Sequence, residues 1–202
     1  KKIKLNCKVC QLVKLYKNGQ PFKMSKRAGD FISAQDLLNE VSKDSIRFMM
    51  LNRSNDVELD FDFEKVKEKT KDNPVFYVQY AYARISSIAR TLKINLKDQI
   101  SINSKTFKPN DYEEKILRKI FEWPKIIESA ANKFEPHKIP FYLYELSTLF
   151  HSYWSKGNED INYRFIQNGK IKKEDSLAFI CLIAVVIKNG MNILGVSLPE
   201  KM

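Results

Sequence analysis

Cysteine is scarce in this chain. Cys7, Cys10 and Cys181 are the only three in 202 residues, too few for the disulfide framework that staples small secreted domains. Cys7 and Cys10 have metal-ligand spacing, yet no second CxxC or HxxxH follows, and the two histidines, His137 and His151, stand far away in sequence. A four-ligand zinc site is therefore not expected. No GxGxxG, Walker P-loop, GxSxG or HExxH occurs, which removes the commonest dinucleotide, NTPase, hydrolase and metalloprotease signatures. The longest purely apolar run, Leu177 to Ile187, is too short to span a bilayer, so no membrane association is expected. The charged start shows no signal peptide, which leaves the cytoplasm as the expected compartment. An initiator methionine is also missing, as expected for a piece of a longer protein.

Acidic residues are absent from the first 29 positions, which hold nine Lys or Arg: Lys1, Lys2, Lys4, Lys8, Lys14, Lys17, Lys23, Lys26 and Arg27. The whole chain has 35 basic and 24 acidic residues and a net charge of +11, so +9 of that excess lies in this segment. Concentrated positive charge on such a chain points to phosphate, of nucleotide or nucleic acid, or to a solvated Lys-rich edge.

Chain organisation follows from turn and cap chemistry. Ile3 to Tyr16 alternates loosely between apolar and basic residues and meets Asn18-Gly19, a strong hairpin signal, with a short second strand ending near Phe22. Lys23 to Asp30 reads as a loop. Ser33 is placed to cap one helix and Asp44 to open another. DVELDFD, Asp56 to Asp62, alternates with period two and reads as an extended connector or a solvated turn. Asp72-Asn73-Pro74 is a helix start, with the helix running to about Lys93 and a polar loop over Leu96 to Asn110. Further helices are expected from Asp111 to Phe121, Pro124 to Lys133, Pro140 to Trp154 and Asp175 to Lys188, with Gly157 to Asn168 connecting the last two. The fold class is mainly α: a helical bundle with a short β-hairpin and a basic loop at its N-terminus.

Two places carry chemistry. The loop Lys23-Met24-Ser25-Lys26-Arg27 sets two ammonium groups three residues apart around a hydroxyl, with Gly29 letting the backbone bend. Mobile lysines of this kind can offset the charge that develops on a polyphosphate. The second place is a helix face. At 100° per residue, Tyr77, Tyr80 and Arg84 fall within about 60° of one another, beside an apolar arc of Val78, Ala81, Ile85, Ile88 and Leu92. Aromatic rings and a guanidinium on one stripe are the surface on which unpaired RNA bases stack, or else a tyrosine-rich packing edge. His137 and His151 sit in an apolar and aromatic setting and read as histidines hydrogen-bonded within packing.

KMSKR resembles the KMSKS signature of class I aminoacyl-tRNA synthetases. VKLYKNGQPFKMSKRAGDF, RSNDVELDFDFE, KDNPVFYVQYAYARI, EPHKIPFYLYELSTLFHSYW and NGMNILGVSLPEKM resemble arginyl-tRNA synthetases in particular, in order and across almost the whole chain. The resemblance implies arginine–tRNA ligase activity, in which ATP and arginine give arginyl-adenylate, and the arginyl group then passes to the 3′ end of the tRNA specific for arginine. It implies Lys26, assisted by Lys23, at the ATP phosphates. ATP would act with Mg2+ and be held mainly by a part of the enzyme, including the HIGH signature, that this chain lacks. Arg27 stands where the family has serine, which adds charge and removes a hydroxyl. The chain alone is accordingly expected to be inactive. The resemblance further implies residues 1–70 as the end of a catalytic domain and 71–202 as an anticodon-binding helical bundle. It places Tyr77, Tyr80, Arg84, Tyr153, Trp154 and Met202 at the anticodon and implies a monomer. A non-enzymatic helical RNA- or protein-binding module, or a related class I synthetase of other specificity, are the alternative readings.

Overall fold

The computed structural model describes residues 5–22, 32–96, 107–172 and 174–202. The hairpin is where the Asn-Gly signal puts it: β1 (Val13–Lys17) and β2 (Gln20–Pro21) pair antiparallel, with Asn18 at φ 52° and Gly19 at φ 71°. Two consecutive left-handed residues are what a tight hairpin turn needs. Residues 5–12 are not part of the strand, which is shorter than the alternation predicts.

Ser33 caps α1 (Ala34–Glu40) in a capping box with Asp36. The next helix, α2 (Lys43–Leu51), is capped by Ser42, whose hydroxyl accepts from the Ser45 amide at 3.1 Å. Asp44, expected to open it, lies in its first turn and is instead used by Ser197, whose amide and hydroxyl both donate to it. DVELDFD divides: Asp56 and Val57 are an exposed turn and bend, but its second half is a paired strand. Leu59 to Asp62 form β3, which pairs in parallel with β1 in the register Val13 to Leu59 and Leu15 to Phe61. The reason is burial: Leu59, Phe61 and Phe63 point inward onto Val41 and Val66, while Asp60 faces solvent.

The bundle begins at α3 (Pro74–Leu92), capped by Asn73 and closed by Lys93 in the left-handed conformation. Asn73 is buried, and its side-chain amide also donates to the carbonyls of Val66 and Glu68, at 2.9 and 2.8 Å, tying the strand region to the helix. α4 (Asp111–Phe121) carries a second capping box, Asn110 with Glu113; positions 97–106 of the loop expected before it lie outside the described residues. α5 (Trp123–Lys133) follows. Next comes α6 (Lys138–Glu159), which continues five residues beyond Trp154. Gly157 stands inside it because a Cβ there would come within 3.1 Å of the Tyr163 carbonyl oxygen. The connector after α6 holds an unexpected second hairpin, β4 (Ile166–Gln167) with β5 (Lys170–Ile171), turned by Asn168-Gly169 at φ 53° and 73°.

α7 (Glu174–Leu194) closes the chain's helical part and runs six residues past its expected end. By length and composition it could cross a membrane, but 61% of its most apolar window is buried inside the protein. Phe179, Ile180, Ile183, Ile187 and Met191 pack into the same core as Val78, Ile85, Leu143 and Phe150. It is the bundle's core helix. A smaller core holds β3, α1 and one side of α2, and α2 belongs to both: Phe48 enters the main core while Ile46, Met49 and Met50 pack on the small one.

Candidate nucleic-acid interface

The period of α3 divides its residues as the sequence predicts. Val78, Ala81, Ile85 and Ile88 are 0 to 3% exposed, while Tyr77, Tyr80 and Arg84 are half-buried on the neighbouring stripe. α6 packs alongside and presents His151 and, one turn on, Trp154. The Arg84 guanidinium carbon lies 4.3 Å from the Tyr80 ring centre and 5.1 Å from that of Trp154. Phe76 stacks on Tyr80 at 5.7 Å. Aromatic faces attract cations through their quadrupole, so these rings hold the charge in place.

His151 fixes the guanidinium edge-on. Arg84 Nη1 lies 3.0 Å from His151 Nδ1, Arg84 Nη2 donates to the Tyr80 hydroxyl at 3.1 Å, and His151 Nε2 lies 3.0 Å from the Tyr77 carbonyl oxygen. A guanidinium can only donate and a carbonyl can only accept. The ring must therefore be neutral with its proton on Nε2. Burial, reinforced by the Arg84 charge, holds its pKa down to about 4 against the opposing pull of the Tyr77 carbonyl.

The last residues complete the face. After Gly195, at φ 66° and in contact with Arg47, the chain runs back along α3. Gln79 donates to the Ser197 carbonyl at 3.0 Å and Arg90 to the Glu200 carbonyl at 2.6 Å. Lys201 and Met202 are thereby set against the helix, and Tyr80, Arg84, Arg90, Trp154, Lys201 and Met202 line one open cavity of about 460 Å³. It has aromatic walls and three cations, and among the described residues no Asp or Glu side chain lines it. That combination suits an unpaired base with its flanking phosphates.

Comparison with known proteins gives this face its setting: the model of the DALR anticodon binding domain matches residues 78–202. The chain belongs to that family. Its curated relatives include the arginine–tRNA ligase of Pelagibacter ubique, 59% identical over 201 residues that cover all of this chain and 35% of that protein. The arginine–tRNA ligase of Ruegeria pomeroyi is 47% identical over 206 residues, all of this chain and 36% of that one. A solved Campylobacter jejuni chain assigned as an arginyl-tRNA synthetase is 28% identical, with a TM-score of 0.79, over 96% of this chain and 40% of its own length. The resemblance drawn from KMSKR and the blocks after it thus leads to the same family. The chain spans about a third of the length of the curated relatives it matches.

The residues predicted to meet RNA, all but Tyr77 inside the matched DALR region, separate into three groups. Tyr80, Arg84, Trp154 and Met202 share the cavity. Tyr77 stands one turn earlier on α3, its ring against His151 at 4.3 Å and Tyr144 at 5.3 Å. Tyr153 is 3% exposed, packs its ring on Phe165 at 4.6 Å, donates its hydroxyl to Glu113 Oε1 at 2.9 Å and accepts from Asn110 at 2.9 Å. Burial pushes its phenol well above the usual range. Tyr153 and Trp154 are about 100° apart on α6, so one faces the core when the other faces out. Tyr153 presents no ring face to a base.

Sequence reasoning overlooked Arg90 and Lys201, and it read His151 as packing. Arg90 stands about 120° round α3 from Arg84, so helical period does not assign it to that stripe; nothing in the sequence pairs Lys201 with α3. The KMSKR loop, Lys23 to Arg27, lies outside the described residues. Cys7 and Cys10 are exposed, and among the described residues no three His, Cys, Asp or Glu come together as metal ligands.

Proposed function

We propose that this chain is the anticodon-reading part of a cytoplasmic, monomeric arginine–tRNA ligase. The cavity between α3, Trp154 and residues 201–202 would take an unpaired base of the anticodon loop of arginine tRNA. In the whole enzyme ATP, with Mg2+, and arginine would give arginyl-adenylate and pyrophosphate, and the arginyl group would pass to the tRNA 3′ end. Lys26 and Lys23 of the KMSKR loop would meet the ATP phosphates as charge develops there. Residues 1–70 would complete the catalytic domain and 71–202 form the RNA-binding bundle. The carrying observation is the Arg84 guanidinium held between Tyr80 and Trp154 in a cavity edged by Arg90 and Lys201. Relatives at 59% and 47% identity favour arginine over another amino acid.

Fluorescence anisotropy with an arginine-tRNA anticodon stem-loop tests the reading on the chain as it stands. Stacking is worth about 1–3 kcal/mol per base, so Tyr80→Ala and Trp154→Ala should each weaken binding by roughly one to two decades. Arg84→Ala should weaken it as well and make the log-log salt slope shallower by about one unit. Equal affinity for unrelated stem-loops and for the variants would leave a helical module without anticodon recognition.

A further inference from the structure

We infer that His151 is a positioning residue of the RNA-binding face, a buried neutral imidazole that presets Arg84 for the RNA. The inference rests on the anticodon-binding reading above.

His151 is 5% exposed and lies on α6, one turn before Trp154. It never reaches the cavity that Arg84 and Trp154 line, so it acts on RNA only through its neighbours. Both of its ring nitrogens are used, and each use depends on the other. The Tyr77 carbonyl takes the Nε2 proton, which leaves the Nδ1 lone pair facing the Arg84 guanidinium. The same backbone that carries Tyr77 therefore fixes the tautomer that Arg84 needs. The ring also lies 4.3 Å from the Tyr77 ring and 5.6 Å from the Tyr80 ring, so it props the two tyrosines whose stripe it serves.

A free arginine side chain explores many rotamers, and immobilising such a chain on binding costs affinity. Here that ordering is already done. One guanidinium nitrogen is held by His151 and another by Tyr80, between two aromatic rings. No single alternative side chain repeats the arrangement. Phenylalanine keeps the ring and loses the acceptor. Glutamine keeps an acceptor and a donor at its amide and loses the ring.

A double-mutant cycle on the 202-residue chain, read by stem-loop affinity of folded protein, tests the inference. His151→Phe should weaken binding roughly threefold to tenfold, the size of one ordered side chain. In an Arg84→Ala background the same change should alter affinity by less than about twofold, and His151→Gln should bind more tightly than His151→Phe. Unchanged affinity of His151→Phe, or an equal loss with and without Arg84, overturns the positioning role while the RNA face stands. Full affinity of Arg84→Ala overturns the face itself and the role with it. The 15N spectrum of the unmodified chain at neutral pH supplies a readout that needs no variant: His151 should show a protonated Nε2 and a bare Nδ1. A proton on Nδ1 overturns the inference.

Discussion

Acid should destabilise this fold through one ring. His151 gains a proton near the ordinary imidazole value of 6.5 in the unfolded chain but only near 4 in the folded one. Between those values the unfolded state binds a proton that the folded state does not, so stability falls as pH drops from about 6.5 toward 4. Burial is the main cause, and Arg84, a cation beside the ring, adds to it; the Tyr77 carbonyl pulls the other way without overcoming them. The whole interval is worth about 3 kcal/mol, and about 2 kcal/mol of that is gone by pH 5. For a domain of ordinary marginal stability that is a large fraction. Urea unfolding at pH 7.5 and pH 5.0, for the unmodified chain and for His151→Gln, isolates the effect, because carboxylates titrate alike in both proteins. The unmodified chain should lose about 2 kcal/mol more than the variant on acidification. Equal losses would show that the imidazole is protonated in the fold, and with it that the Arg84–His151–Tyr77 hydrogen-bond chain is drawn wrongly.

Tyr153→Phe should cost about 1–3 kcal/mol of folding stability, since it leaves Glu113, itself 1% exposed, without one donor. Stem-loop affinity of the folded fraction should not change, and a loss would return Tyr153 to the RNA face. Ile85→Ala, in the core arc of α3, should cost about 2–5 kcal/mol in a thermal or urea melt, whereas Arg84→Ala one residue earlier should cost far less stability and more RNA affinity. In a full-length enzyme Lys26→Ala should raise the barrier to adenylate formation by on the order of 2–4 kcal/mol while leaving ground-state ATP binding much less affected. Pre-steady-state adenylation kinetics separate the two.

The fold was legible where local chemistry decides alone and misread where packing overrides it. Three Asn-Gly pairs make the point. Asn18-Gly19 and Asn168-Gly169 both turn hairpins at positive φ, although only the first was expected to. Asn189-Gly190 lies inside α7, because a Cβ at 190 would come 2.7 Å from the buried Leu143 side chain. The same dipeptide is a turn signal in two places and a close helix contact in the third, and only the neighbour across the core distinguishes them. DVELDFD shows the converse. Its period-two pattern was visible, but its partner β1 stands more than forty residues earlier, and parallel pairing over that distance leaves no local mark.

The candidate site follows the same division. Tyr80 and Arg84 were found because helical period places side chains on one helix without reference to anything else. The resemblance implies Trp154 and Tyr153 together at the anticodon, and α6 separates these neighbours by about 100° into a cavity wall and a core residue. His151 was read as a packed, hydrogen-bonded histidine, which it is, but its partner sits 67 positions away on α3. A packed residue on one helix acquires a bearing on function when its lone pair meets the functional cation of another, and sequence periodicity describes each helix without describing how two helices meet. The face therefore depends on the α3–α6 crossing as much as on the residues that line it. A core change that rotates α6 by a fraction of a turn, with Tyr80, Arg84 and Trp154 all intact, should open the Arg84–His151 contact and weaken RNA binding before it unfolds the bundle.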